Sequence, residues 1–481
     1  MAFLGGHDNA DSSEFALAVN YIDSASEGRQ EHGDHNAAMR RPAKAIPEEF
    51  KWRTNTCIRA SCGTGDQLGQ RISPNDKRYI NLQKGKMPRS QSKFFGTITV
   101  LLLSLDACAS MSGPAASQSI SMTSAHWHSL GNKTDVQYEE QEGFADGIIR
   151  LKSGDIALND LSFRDGTIEF DMKPLAEDIP GIRFRVRDHQ NAEEFYIRSL
   201  PDCRAENDCI QYSPVIHGFM LWNVYPEYQV KAPVFPDGWN HVKLVVAGKR
   251  MNVFINDAAQ PTLEVAELLA DTAEGGFELH GPAVFANLTV TPGKTDGLSP
   301  TPSVDEIGST AGIVHAWKLG PLTDLHYGSA PTYAERPQDH ASWTKIHSER
   351  FGVVNLNRQF NASQEPSSLT WLTTFVDSDR EQSKLASLGW LGQVWIFVNG
   401  VLIASDKNFY YPESERKRPD ARLSLENGTY TIPLRRGRNE ITIALHTSIH
   451  DDARSRTPYG WGLAMRYNDL SGLTLQSTGN D

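Results

Sequence analysis

The chain has 481 residues, enough for two or three domains with ample core. Its hydrophobic content of 39% is ordinary for a soluble protein, and its formal net charge of −12 argues against nucleic acid as the main partner, because phosphate binding needs a basic face. Five cysteines exclude a disulfide-built scaffold.

Residues 1–86 show no apolar run long enough for a core element, so they are expected to be disordered or to precede a true start at Met87. From Met87 the pattern is that of a secretory signal: basic Arg89 and Lys93, an apolar run over residues 94–105, then small residues at 107–110. Leu105-Asp106-Ala107-Cys108 resembles a bacterial lipobox, with Asp106 as a departure; that resemblance implies lipidation at Cys108. Ala107-Cys108-Ala109 reads alternatively as a plain cleavage site. Either way the mature chain is expected outside the cytoplasm, touching a membrane only through such an anchor. Ser and Ala dominate to about Ala125, as in a tether, so a chain starting after Ala125 is expected to fold.

Residues 126–292 read as a first all-β domain. Short alternating runs follow one another, separated by Asn-Asp and Asp-Gly turns. Ile168, Phe170 and Met172 point inward, leaving Thr167, Glu169 and Asp171 outward. Ile182, Phe184 and Val186 leave Arg183, Arg185 and Arg187 outward, and Phe195 and Ile197 leave Tyr196 and Arg198. If these faces share a sheet, two acids meet several arginines. Such a face is either a solvated ion-pair lattice or a polar groove for the hydroxyls or carboxylates of a sugar, with Tyr212, Trp222 and Tyr225 as stacking platforms or as core. Cys203 and Cys209 close a small loop as a disulfide, with free thiols as the alternative, and no second Cys/His pair suggests zinc. Residues 237–261 form a hairpin whose buried sides are Val242, Leu244, Val246 and Met251, Val253, Ile255, with the turn at 247–250. Residues 263–269 suggest a short helix.

The order FRDGTIEFDM, GIRFRV, FYIRSL, GWNHVKLVVAGKRMNVFIND and GPAVFANLTV resembles the concanavalin A-like lectin/glucanase (laminin G-like) superfamily across this segment. The resemblance implies a jelly-roll sandwich and glycan chemistry. Glu169-Phe170-Asp171 matches the first half of the family 16 glycoside hydrolase strand motif, but Lys173 and Pro174 stand where a second acid belongs. A retaining mechanism needs two carboxyls about 5–5.5 Å apart. Glu169 and Asp171 are therefore catalytic candidates lacking a partner on their own strand.

Residues 293–310, rich in Pro, Gly, Ser and Thr, read as a linker. Strand grammar resumes over 311–481 and is strongest at 393–404, where two alternating runs meet at Asn399-Gly400. VWIFVNGVLIA, GTYTIPLRRGRNEITIALH and GWGLAMR resemble the galactose-binding-like jelly rolls, whose ligands meet loops at one end. That makes Tyr410, Tyr411, Asp451 and Trp461 ligand candidates, or packing and solvated turns. Asp451 and Asp452 fall far short of a calcium coordination set, and no cofactor is implied.

The chain is thus expected to be two β-sandwiches that bind a glycan or polysaccharide after export. The alternatives are a glycoside hydrolase or polysaccharide lyase using Glu169, Asp171 and a base such as His217 or Tyr196, and a protein-interaction module.

Overall fold

A computed structural model describes residues 116–326, 328–360, 368–447 and 460–476. Cys108 and Asp451 lie outside these residues. Among the described residues the fold is all-β, with four antiparallel sheets and one short helix, Leu356–Gln359. The sheets pair into two sandwiches.

In the first sandwich, sheet 1 runs in the order Leu263–Val265, Arg250–Ile255, Asn240–Ala247, Gly166–Pro174, Ala283–Pro292, Phe144–Ser153, Asp135–Gln141. Sheet 2 runs Phe219–Met220, Ile210–Ile216, Asn191–Ile197, Gly181–Asp188, Gly276–His280, Asp155–Leu158, Trp127–Ser129. The expected hairpin is at the heart of sheet 1, with Val246 opposite Met251 and Leu244 opposite Val253. All six apolar side chains expected on its inner side are fully buried, each contributing about 1.5–3 kcal/mol of transfer free energy. Gly248 turns the hairpin at φ +52°, and a Cβ there would come within 2.4 Å of Pro300 O. The linker therefore runs close over the turn: Lys249 N donates to Pro300 O at 3.0 Å, and Arg350 Nη1 holds Ser303 O at 2.9 Å.

Three expectations need correction here. Residues 263–265 form a strand, not a helix: Leu263 and Val265 are buried on one side of Glu264 and pair with Val253 and Met251. Residues 118–122 of the expected tether are part of the sandwich, since Gln118–Ser119 pairs with Val290 and Thr289 and Ile120 and Met122 lie in the core. Arg185 does not continue the outward row of Arg183. It sits at φ +51°, where the pairing register slips, and is 2% exposed. Its guanidinium holds Arg164 O at 2.7 Å, Asp165 Oδ1 at 2.9 Å and Gly248 O at 2.8 Å.

In the second sandwich, sheet 3 runs Thr344–His347, Ala316–Leu319, Ser368–Ser378, Gly437–His446, Gly392–Val398, Val401–Asn408. Sheet 4 runs Val354–Asn355, Gly462–Tyr467, Gln382–Trp390, Gly428–Leu434. Asn399 and Gly400, both with positive φ, turn the expected hairpin. The strand Gln382–Trp390 escaped the pattern because Lys384 stands in its buried row with Ala386, Leu388 and Trp390. Its ammonium is met by Asp469 and Ser471.

The sandwiches meet along a built seam. Tyr225 OH donates to Glu349 Oε2 at 2.7 Å and accepts from Asn355 Nδ2 at 3.0 Å. Arg422 Nη2 reaches Asp208 Oδ2 at 2.6 Å, and His217 Nδ1 lies 2.8 Å from Asn357 O. Phe351 and Leu423 of the second sandwich belong to the apolar core of the first.

Candidate functional site

Alternation in sheet 2 sends Ile156, Ile182, Phe195, Tyr212 and Phe277 into the core. The residues between them therefore face outward. Register aligns these outward residues into two rows. One runs Ser213, Glu194, Arg183, Glu278, Ala157 across five strands. The next runs Gln211, Tyr196, Gly181, His280, Asp155. Gly181 is required where it stands, because a Cβ would meet Phe195 O at 2.2 Å.

Arg183 is the hub. Its Nε lies 3.2 Å from Glu194 Oε1 and its Nη1 3.4 Å from Glu278 Oε2. Glu278 Oε1 meets His189 Nδ1 at 2.7 Å. His280 Nε2 lies 3.4 Å from Glu194 Oε1. Glu194 and Glu278 are buried, while the Arg183 and His189 side chains reach solvent, at 20% and 67% exposure. Burial works against the charge of Arg183, but Glu194, Asp155 and Glu278 outweigh it and hold its pKa above the ordinary value. Burial pushes Glu194 up to about 7 despite Arg183, and also raises Asp155. Burial, reinforced by Arg183, drives His280 down to about 3, so its ring is neutral at physiological pH. Glu194 Oε2 is buried without a hydrogen-bond partner. The arrangement places one guanidinium among three carboxyl groups, with a buried, unpartnered acceptor oxygen beside it.

Beside this cluster, Tyr196 OH donates to Gln211 Oε1 at 2.7 Å, and Arg198 Nη2 donates to Tyr196 OH at 3.1 Å. Arg198 and Arg422 lie over the Trp222 ring at 5.6 and 5.1 Å, and Tyr410 meets Trp222 edge-on. Trp222 and Tyr410 thus join the two sandwiches through arginines. Tyr411 packs edge-on against Tyr410 and is exposed.

The other sequence candidates go elsewhere. Glu169 and Asp171 belong to sheet 1, so they do not share a face with Arg183. Asp171 instead accepts from His241 Nδ1 at 2.8 Å and Asn287 Nδ2 at 2.7 Å. Tyr212 is interior, its OH donating to Glu193 Oε2 at 2.6 Å. Tyr225 is spent in the seam, and Trp461 is buried in the second core. Neither tyrosine is a stacking platform, and Trp461 packs in the core in place of standing on a ligand loop. Cys203 and Cys209 form the disulfide. Among the described residues no group of three or more His, Cys, Asp or Glu is placed to hold a metal ion.

Glu194, Glu278, His280, Asp155 and His189 were missed from sequence. The alternation of EEFYIR and GFELH already turned Glu194, Glu278 and His280 away from Phe195, Phe277 and Leu279. What was hidden was their convergence on Arg183, which depends on pairing between strands up to about a hundred residues apart.

Residues 122–291 match the family model described as a 3-keto-alpha-glucoside-1,2-lyase-like domain. The match covers the first sandwich and ends where the linker starts. No curated protein matches the chain. Among solved structures, the carbohydrate binding module CBM66 from Bacillus subtilis is 15% identical, covering 35% of this chain and 92% of that one, with a TM-score of 0.24. Domain 4 of AbnA, a GH43 extracellular arabinanase from Geobacillus stearothermophilus in complex with arabinotriose, is 10% identical, with 39% and 85% covered and a TM-score of 0.24. SCLam, a non-specific endo-beta-1,3(4)-glucanase from family GH16, is 10% identical, with 37% and 95% covered and a TM-score of 0.21.

Proposed function

We propose that this is a carbohydrate-binding protein whose first sandwich takes a glycan on the outer face of sheet 2. The observation that carries this is the double row of donors and acceptors around Arg183. A sugar hydroxyl donates and accepts at once, and it is matched by a face that offers both. The glycoside chemistry in the name of the family matched over residues 122–291 supports the same class of ligand.

A second reading, cleavage of a glycosidic bond, is favoured by Glu194. Its carboxyl, pushed up to about 7, retains a proton near neutrality to give to a leaving oxygen. Glu278, tied to Arg183 and His189, is the neighbouring acceptor.

The test is a glycan panel read by calorimetry on the wild type and Arg183→Ala, with parallel assays for new reducing ends and unsaturated products. We expect wild-type binding that weakens at least about tenfold in the variant, in line with loss of a charge-assisted hydrogen bond. Unchanged affinity in a folded variant would discard this face. Products that vanish in Glu194→Gln would move the protein to the enzyme class.

The signal-like stretch from Met87 supports export, with Cys108 as the lipid attachment point. Radiolabelled palmitate retained by the wild type and lost in Cys108→Ser is the expected result. The second sandwich, through its resemblance to galactose-binding-like jelly rolls, is proposed as an accessory module fixed to the first.

A further inference from the structure

Three carboxyl groups, Asp155, Glu194 and Glu278, surround one guanidinium on the outer face of sheet 2. The donors of Arg183 are divided between Glu194 Oε1 and Glu278 Oε2. His280 is too far depressed to supply a second cation beside Glu194. Glu194 Oε2 is left as a buried acceptor without a donor. Leaving such a group unmet is costly, and the best match is a charged N–H donor.

We propose that the sugar bound on this face carries a primary amine, whose ammonium group is seated on Glu194 with its hydroxyls on the surrounding polar side chains. This rests on the outer face of sheet 2 being the sugar site. An ammonium supplies three donors and places a positive charge beside the three carboxyl groups. An uronate or sulfated sugar would bring a further acidic group to a guanidinium already shared between two carboxyl groups. An N-acetyl group removes the charge and adds bulk at a buried oxygen. Because the Glu194 carboxyl is held up near 7, seating an ammonium below that pH expels its proton.

The experiment is calorimetry of the full chain with three β-1,4-linked oligosaccharides of equal length, built from glucosamine, N-acetylglucosamine and glucose, and with ethylamine. At pH 6 the glucosamine oligomer is expected to bind at least about tenfold tighter than the other two. Its binding heat is expected to vary with buffer ionisation enthalpy, reporting release of a proton. In Glu194→Gln the amine-to-neutral affinity ratio should fall to near one. Equal affinity for the three oligomers or a preference that survives Glu194→Gln would overturn the amine assignment, and ethylamine binding as tightly as the oligomer would overturn the sugar. If Glu194→Gln does not fold, the wild-type preference among the three oligomers decides, and its absence overturns the proposal. Equal wild-type affinity for the three oligomers, with Arg183→Ala still weakening binding, leaves the site standing without the amine. Affinity untouched by Arg183→Ala removes both.

Discussion

Glu193 and Glu194 are adjacent in the chain and lie on opposite sides of sheet 2. Glu194 faces outward to Arg183, whereas Glu193 faces the core, where Tyr212 OH and Ala270 N donate to its Oε2. Burial pushes Glu193 up to about 7 as well. A carboxyl raised on folding stabilises the folded state below its unfolded value of about 4.3, and that stability is lost as pH rises toward 7. Glu193→Gln keeps an acceptor for Tyr212 and removes the cost of ionisation. Thermal melts should show it more stable than the wild type at pH 8, by on the order of 2–3 kcal/mol, with the gap narrowing at pH 5. A variant less stable at both values would show that Glu193 is ionised and paired in the fold. Gly181→Ala tests the second row. Its Cβ has only backbone to displace at Phe195 O, so a loss of about 2 kcal/mol or more is expected in denaturant titration.

Strand alternation was legible wherever both faces kept strict period two. The 240–255 hairpin, the Asn399-Gly400 hairpin and the outward position of Arg183 follow from it. It failed where local geometry breaks the period. The positive φ of Arg185 turns that side chain off its expected face, and a buried lysine disguised Gln382–Trp390. Sheet membership was not legible, because Gly166–Pro174 finds its partners at Asn240–Ala247 and Ala283–Pro292, far along the chain. That is why Glu169 and Asp171 were set against arginines of the other sheet. The same non-local pairing ties residues 118–122 to the first sandwich. A chain starting at residue 126 discards Ile120 and Met122, each worth about 1.5–3 kcal/mol of burial. It also removes Ser121 O, the acceptor for Trp127 Nε1. It should melt several degrees below a chain starting at residue 116. Equal melting temperatures would return this segment to the status of a tether.

At the scale of the molecule, the seam makes the two sandwiches one cooperative body. Arg358 joins Glu349, Asp271 and Leu269 O, and Gly460 fits against Val224 where any side chain would collide at 2.2 Å. Arg358→Ala leaves the partly buried Glu349 without its cation and should cost on the order of 2 kcal/mol. Calorimetry should show a single unfolding transition in the wild type, with Arg358→Ala lowering or splitting it. Two well-separated wild-type transitions would show that the seam does not couple the sandwiches. This fixed seam also sets Trp222, Arg422 and Tyr410 beside the sheet 2 face. Neither half of the sequence, taken alone, reveals that neighbourhood.

Amide hydrogen exchange with the tightest-binding glycan at saturation tests whether a glycan lies on the outer face of sheet 2. Slowed exchange is expected in Gly181–Asp188, Asn191–Ile197 and Gly276–His280, with Gly166–Pro174 and the second sandwich unchanged. Protection centred on Gly166–Pro174, the strand of Glu169 and Asp171, or confined to the second sandwich, would contradict it.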